Sequence, residues 1–356
     1  MNNTDYFKDL EKVKNPYGAV DASLKMQAES FTPELVSVIM PCFNSARFLK
    51  KAIESVLNQS YAKVELIVVD DGSTDDSQNI LASYGSAINV ILQKNQGACV
   101  ARNAGLHIAK GEYIQFLDSD DLLYSDGVEV RVREMDIETD VVFGDYDKIN
   151  DTDEIFGNVG FPNQGNWERR DTFEYLLKHP ARMLISNPLH RRQHIYNSGG
   201  YDEALPRYQE ANLHLRLVSE GVRWKYVDEI VGAVRFHDSP HRISNNGAWW
   251  CKDPLFILNI TRNYYTEVNT SAPELVDVWF RETLASILRR NSVTLAAFVS
   301  LSWGIRYLRE ARWVLQESRS KFYCRCLRLL VESRVFWVKF YGGKVKRYLK
   351  ALMSMD

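Results

Sequence analysis

The chain is poor in the features that would place it outside the ordinary intracellular globular proteins. Its five cysteines, Cys42, Cys99, Cys251, Cys324 and Cys326, are odd in number and form no spaced framework. Cys324 and Cys326 stand one residue apart, with no second pair to complete a zinc site. Reduced thiols in a cytosolic protein are therefore expected. The opening residues, Met1-Asn2-Asn3-Thr4-Asp5, have neither the basic nor the apolar region of a signal peptide. The longest nearly apolar stretch, Val293 to Ile305, contains serines and a threonine, is ended by Arg306, and is too short to span a bilayer. Neither internal repeats nor low-complexity segments are present, and the apolar and charged fractions argue against wholesale disorder.

What is present is a large chain with an uneven charge. At 356 residues it can bury a sizeable core and form two domains. Arg306 to Asp356 holds thirteen Lys or Arg against four Asp or Glu, a net of +9, so the remainder carries −11 to reach the overall −2. An acidic body with a basic tail points to an anionic surface as partner and away from nucleic acid, which the body would repel.

Residues 1–34 are polar and weakly patterned, an arm. From Val36 strand and helix signals alternate. Val36 to Met40 reads as a strand ended by Pro41, and Ser45 to Gln59 as a helix with Phe48, Leu49, Ala52, Ile53, Val56 and Leu57 on one face. A strand follows into Asp70, then a helix opening at Ser73-Thr74-Asp75-Asp76, where Ser73 and Asp76 suit a capping box. Next come a strand over Ile88–Leu92, a helix over Ala98–Ala109, a strand into Asp118 and another over Asp140–Gly144. Further on, a strand is expected near Met183–Ser186, a helix over Glu210–Glu220 and a strand over Trp224–Val227. Such a series predicts a right-handed, doubly wound α/β layer. From Trp249 the pattern is helical only, rich in Trp, Leu and Arg, so a boundary falls near residue 245.

Two acidic groups close successive strands: Asp70-Asp71-Gly72-Ser73 after Val64–Val69, and Asp118-Ser119-Asp120-Asp121 after Tyr113–Leu117. Open α/β sheets bind ligands at the carboxyl ends of their strands. Two acidic clusters there repel each other unless a cation or hydrogen-bond donors offset them, and a hard divalent cation holding a phosphate needs oxygen ligands of this kind. The pattern suits a metal-bound nucleotide.

Four segments in order carry a resemblance: Val36 to Asn44, Val69 to Asp75, Ala101-Arg102-Asn103-Ala104-Gly105, and Gly111 to Asp121. Together they resemble the family 2 glycosyltransferases over about 35–245. The resemblance implies a GT-A fold, a doubly wound mixed sheet, followed here by an all-helical region over 246–356. It implies inverting transfer of a sugar from a UDP-sugar to a glycan or glycolipid acceptor, with Mn²⁺ or Mg²⁺ as cofactor. The nucleotide-sugar would be lined by Pro41, Phe43, Asp70, Asp71, Arg102, Asp118 and Ser119. By the same resemblance, Phe43 would stack on the base, Asp71 would accept from the uracil imide and Asp118 would hold the ribose or help the metal, while Arg102, in a helix after the Asn95-Gln96-Gly97 turn, would pair with phosphate or stand as a surface or core-flanking arginine. Asp120 coordinates the cation, with His237 of Val234-Arg235-Phe236-His237 approaching it. The family's base lies in a Glu-Asp pair after a Gly-Gly-Tyr-Asp-Glu-like turn. Here Gly199-Gly200-Tyr201-Asp202-Glu203 is followed by Gln209-Glu210, which puts Glu210 in the base's register one methylene longer and leaves the preceding position neutral.

Two rivals remain. A sugar nucleotidyltransferase needs a Gly-rich loop after its first strand, but that position reads Pro41-Cys42-Phe43-Asn44-Ser45. The Gln209-Glu210 departure makes a catalytically silent sugar-nucleotide or glycan-binding partner of an assembly complex conceivable. In Lys321–Tyr341, Lys321, Arg325, Arg328 and Lys339 recur at helical spacing opposite Leu327, Leu330, Trp337 and Tyr341. This suits either an interfacial helix on anionic lipid or a packed helical subdomain. The expected setting is cytoplasmic, peripheral at the inner face of the cell membrane, in cell-surface polysaccharide or lipopolysaccharide synthesis.

Overall fold

A computed structural model describes residues 30–179, 182–203, 205 and 209–237. The boundary near 245, the basic helical region and nearly all of the arm lie outside them. The arm itself is shorter than expected, because β1 already spans Thr32–Cys42. In chain order there follow α1 (Ala46–Leu57), β2 (Val64–Asp70), α2 (Ser77–Ser83), β3 (Asn89–Leu92), α3 (Ala98–Ile108), β4 (Gly111–Phe116) and β5 (Leu122–Leu123). Then come α4 (Gly127–Arg133), β6 (Val141–Ile149), β7 (Ile155–Val159), β8 (Gly165–Trp167), α5 (Arg169–Lys178), β9 (Leu189–Arg191), α6 (Arg192–Asn197), α7 (Gln209–Ser219) and β10 (Trp224–Arg235).

One sheet runs in the order β3-β2-β1-β4-β9-β6-β10-β5, with β7 on β6 and β8 on β10. Strands β3, β2, β1 and β4 are parallel, β9 is antiparallel to both β4 and β6, and β6 is parallel to β10. The sheet is thus the mixed, two-faced layer expected. Val36, Val38 and Met40 of β1 pack with Leu49, Ala52, Ile53 and Val56 of α1. Ile39, on the opposite face, meets α3 where Gly105 lets the helix approach: a Cβ there would lie 2.4 Å from Ile39 Cγ2. Pro41 is tolerated in a central strand because β1 pairs with β4 only as far as Ile39, two residues earlier.

Three expectations change. Met183–Ser186 is a turn, and the strand is Leu189–Arg191. The polar groups that follow the apolar run are taken elsewhere: Asn187 exchanges two hydrogen bonds with Gly144 of β6, and Ser186 bonds to the acidic loop after β4. The Ser73–Asp76 capping box does not form. Asp75 instead accepts from Ala46 N and Ser77 N, each at 3.0 Å, capping α1 and α2 together. The strand at Trp224 is also longer than expected, continuing past two register irregularities to Arg235 and so bringing His237 to the site.

Candidate active site

The carboxyl ends of β1, β2, β4 and β10 meet at one edge of the sheet. After β1, Asn44 adopts φ +50° and turns its side chain to accept from Thr74 N at 2.8 Å, while Asn44 N donates to Ser73 Oγ at 2.9 Å. These bonds tie the Pro41–Ser45 turn to the Asp70–Ser73 turn. Gly72, at φ +79°, allows the second turn to pass under the 93–97 loop, since a Cβ would lie 2.9 Å from Asn95 N.

Asp70 is buried, its oxygens bonded to Ser73 N at 3.3 Å and Gln78 Nε2 at 2.8 Å. Asp71, also buried, accepts from Gln93 Nε2 at 2.7 Å, Gln96 N at 2.8 Å and Gly97 N at 2.7 Å. Asp70 therefore holds its own turn, and Asp71 ties that turn to the 93–97 loop. Phe43 is half-buried at the end of β1, and its carbonyl accepts from Ser45 Oγ at 3.3 Å.

After β4, Asp118, Asp120 and Asp121 each offer an oxygen within 4.8 Å of the others. His237 Nε2 lies 2.8 Å from Asp120 Oδ2, and Ser119 Oγ donates to Ser45 Oγ at 2.7 Å. Asp121 is buried, bonded to Ser186 Oγ at 2.7 Å and Arg235 N at 2.9 Å. Burial, then the neighbouring Asp120 and Asp118 charges, push its carboxyl well above the usual range. Arg235 is itself buried, donating from Nε to Asp120 O at 2.8 Å and lying over the Phe48 ring at 4.5 Å. The donor set fits a hard divalent cation: clustered carboxylate oxygens, an imidazole beside them and repulsion that a cation would relieve.

Arg102 does not point to open solvent. It is buried in a fork, with Nη2 donating to Asp118 Oδ1 and Nη1 to Gln209 Oε1, both at 2.7 Å. The neutral Gln209 thus joins the acidic loop to the first turn of α7. Glu210, next to it, is half-buried. Burial raises its pKa, Asp118 raises it further and Arg102 opposes the rise. Asn103, adjacent to Arg102, donates to Tyr201 O and Glu203 Oε1, each at 2.9 Å, and so anchors the turn preceding α7.

Asp118, Asp120, His237, Arg102 and Glu210 are thereby brought into one electrostatic neighbourhood, while Phe43 and Asp71 stand at the adjoining β1–β2 turns. Asp121, Ser186 and Arg235 were not among the expected site residues. Asp121's position beside the acidic triplet was the available signal. Arg235 lies in the same short segment as His237, which was its signal, whereas Ser186 is distant in sequence and carried none.

The family model described as "Glycosyl transferase family 2" matches residues 37–198. Glycosyltransferase GlyG of Streptococcus pneumoniae serotype 4 is 38% identical over 207 residues, 51% of this chain and 64% of that protein. An uncharacterized glycosyltransferase of Rickettsia felis is 36% identical over 162 residues, 44% of this chain and 25% of that protein. An uncharacterized glycosyltransferase of Rickettsia typhi is 30% identical over 222 residues, 60% of this chain and 67% of that protein. The chain therefore spans from a quarter to about two thirds of the length of these relatives. Among solved structures, residues 1–349 of S. aureus TarS in complex with UDP-GlcNAc superpose with a TM-score of 0.61 at 19% identity, covering 77% of this chain and 81% of that one. At that identity the likeness is one of fold, and it agrees with the mixed sheet described above. With the motif segments and the fold in agreement, the chain belongs to glycosyltransferase family 2.

Proposed function

We propose that this protein is an inverting glycosyltransferase. It moves a sugar from a UDP-sugar to a hydroxyl of a glycan or lipid-linked glycan, using Mn²⁺ or Mg²⁺ held by Asp120 with Asp118, Asp121 and His237. The observation that carries this reading is the bridge from the acidic loop through Arg102 to Gln209, which sets Glu210 beside the carboxylate cluster. The UDP-GlcNAc bound to TarS supports a uridine nucleotide as the donor's carrier.

When bound, the cation would neutralise the charge that develops on a diphosphate leaving group. No second carboxylic acid is then needed to protonate that group, unlike in a glycosidase. Glu210 takes the proton of the acceptor hydroxyl as that oxygen attacks the anomeric carbon from the face opposite the diphosphate. Its raised pKa makes it a better base than an exposed carboxylate. Phe43 stacks on the uracil. Asp71 orders the 93–97 loop around it and presents its remaining lone pair, on Oδ2, to the imide. Arg102 fixes Asp118 and offsets its charge, which assigns it a holding role in place of direct phosphate binding. The basic 306–356 segment supports a place at the cytoplasmic face of an anionic membrane, with a lipid-linked acceptor of cell-surface polysaccharide or lipopolysaccharide synthesis. Among the described residues no helix is long and apolar enough to cross a membrane.

The neutral Gln209 where the family has an acid favours a second reading, a silent binding partner. Incubation with a panel of UDP-sugars and Mn²⁺, following UDP release and sugar transfer, separates the two. Mn²⁺-dependent release that EDTA abolishes is expected. Binding without turnover would establish the silent partner, and full activity in EDTA would remove the metal from the reading.

A further inference from the structure

A buried chain of polar groups ends at the acidic loop. Arg131, on α4, is fully buried with no carboxylate partner among the described residues, and its Nη2 has no hydrogen bond. Its Nε donates to Gly127 O at 2.7 Å, and its Nη1 donates to Gln115 Oε1 at 2.6 Å and to Asn187 O. Gln115 lies on β4, the strand that delivers the aspartates, and is itself fully buried. Its amide nitrogen donates to Phe116 O at 2.6 Å and Ser186 O at 3.0 Å. Ser186 Oγ then accepts from Asp118 N at 3.2 Å and donates to Asp121 Oδ2 at 2.7 Å.

A buried cation with no counter-charge is costly, and apolar side chains of similar volume would fill the same space at less cost. Here the cation and the amide together fasten the 184–187 turn between β4 and β6. The single hydroxyl of that turn bonds to both ends of the acidic loop. Asp121 is consequently held at two points, Oδ2 by Ser186 and Oδ1 by Arg235 N, which fixes the plane of its carboxylate. Groups that orient metal ligands in this way typically alter affinity by about 10- to 100-fold when removed.

We infer that Ser186 is a positioning residue for the cation site, setting the aim of the Asp121 carboxylate and the path of the Asp118 backbone through bonds braced by Gln115 and Arg131. The inference rests on the metal-dependent reading above, and the test separates the two. Mn²⁺ is titrated into the full chain without nucleotide, and free Mn²⁺ is read by electron paramagnetic resonance. The unfolding midpoint is measured in EDTA as a control. Ser186→Ala should raise the Kd for Mn²⁺ about tenfold or more, and Ser186→Thr, which keeps the hydroxyl, should bind Mn²⁺ as the native chain does. Binding by a folded Ser186→Ala within about twofold of native would overturn the inference alone. A folded Ser186→Thr that binds as weakly as the alanine variant would do the same. If Ser186→Ala does not fold, the threonine variant decides. Absence of Mn²⁺ binding by the native chain would overturn the metal reading itself, and this inference with it.

Discussion

Asp120 is the one acid of the cluster that touches His237, at 2.8 Å, and replacing a single oxygen by nitrogen tests what that contact is for. Asp120→Asn keeps the volume and removes the charge. Mn²⁺-dependent UDP binding should be lost and UDP release should fall to background, as read by titration calorimetry and a coupled UDP assay. In the proposed mechanism Glu210 serves a different step. Glu210→Gln should leave the KM for the UDP-sugar nearly unchanged while turnover falls by about two to four orders of magnitude, the usual weight of a general base. A collapse of affinity as well would make Glu210 structural. Because a base works deprotonated and burial raises the Glu210 pKa, activity should rise with pH through a midpoint above the ordinary 4.5. A pH profile of kcat for the native chain checks this. The triplet, His237 and Glu210 were legible in the sequence because each belongs to a short local motif. Arg102's actual partners were not, because Gln209 lies 107 residues further along the chain.

Helices α1 and α2 share a cap, and the turns that hold it also carry Phe43 and Asp71, the residues proposed to hold the base. Asp75→Ala removes the acceptor for both Ala46 N and Ser77 N and should cost about 1 kcal/mol, the typical loss of a helix cap. Thermal unfolding of the variant measures it, and an unchanged midpoint would show that water replaces the side chain. Gly72→Ala acts through geometry. The positive φ and the backbone nitrogen of Asn95 in the path of a Cβ should together cost at least about 1 kcal/mol and displace the 93–97 loop. UDP-sugar affinity should fall with stability, whereas an intact affinity would detach that loop from the base site. The helical spacing of apolar residues placed α1 closely, and its buried face is the one anticipated, apart from Leu57, which is 43% exposed. The Met183–Ser186 run misled because apolar residues buried in a turn carry the same local signal as a short strand.

Across the molecule, the packing of α7 on the sheet buries two histidines together. His190 and His214 stack at 5.5 Å, each near the Trp224 ring, and both nitrogens of His214 lack hydrogen bonds. Burial holds the His190 pKa down to about 3, against the Ile114 carbonyl and with help from Arg131 and His194. Burial likewise holds His214 well below its ordinary value, with His190 and Arg216 adding to the effect. The unfolded chain takes up these protons near pH 6.5, whereas the folded chain holds His190 neutral until about pH 3 and keeps His214 neutral well below its ordinary value too. The unfolded state thus binds more protons in that window, and stability falls as pH falls through it. Asp121, its pKa raised in the fold, contributes with the opposite sign. The comparison with a variant isolates the histidine contribution. His214→Phe should flatten the loss of thermal stability between pH 7 and 4.5 while changing little at pH 7, where the lost imidazole nitrogens had no hydrogen bond and the new ring keeps the stacking face. An unaltered slope would place the acid sensitivity elsewhere.

The sequence by itself determined the α/β layer, the strand ends that carry the acids and the family, because these depend on local periodicity and on motifs only a few residues long. It also determined the charge division between the body and the basic tail. Tertiary structure alone decided that Asp121 joins Asp118 and Asp120 in one cluster, that Asp70 is buried under its own turn, that Arg102 bridges Asp118 to α7, and that Ser186 reaches the acidic loop. Apart from Asp70, whose bonds to Ser73 and Gln78 are local, those outcomes rest on pairings between residues separated by 16 to 114 positions, set by strand order and by burial. A hydrogen bond between distant segments leaves no trace in the spacing of either one.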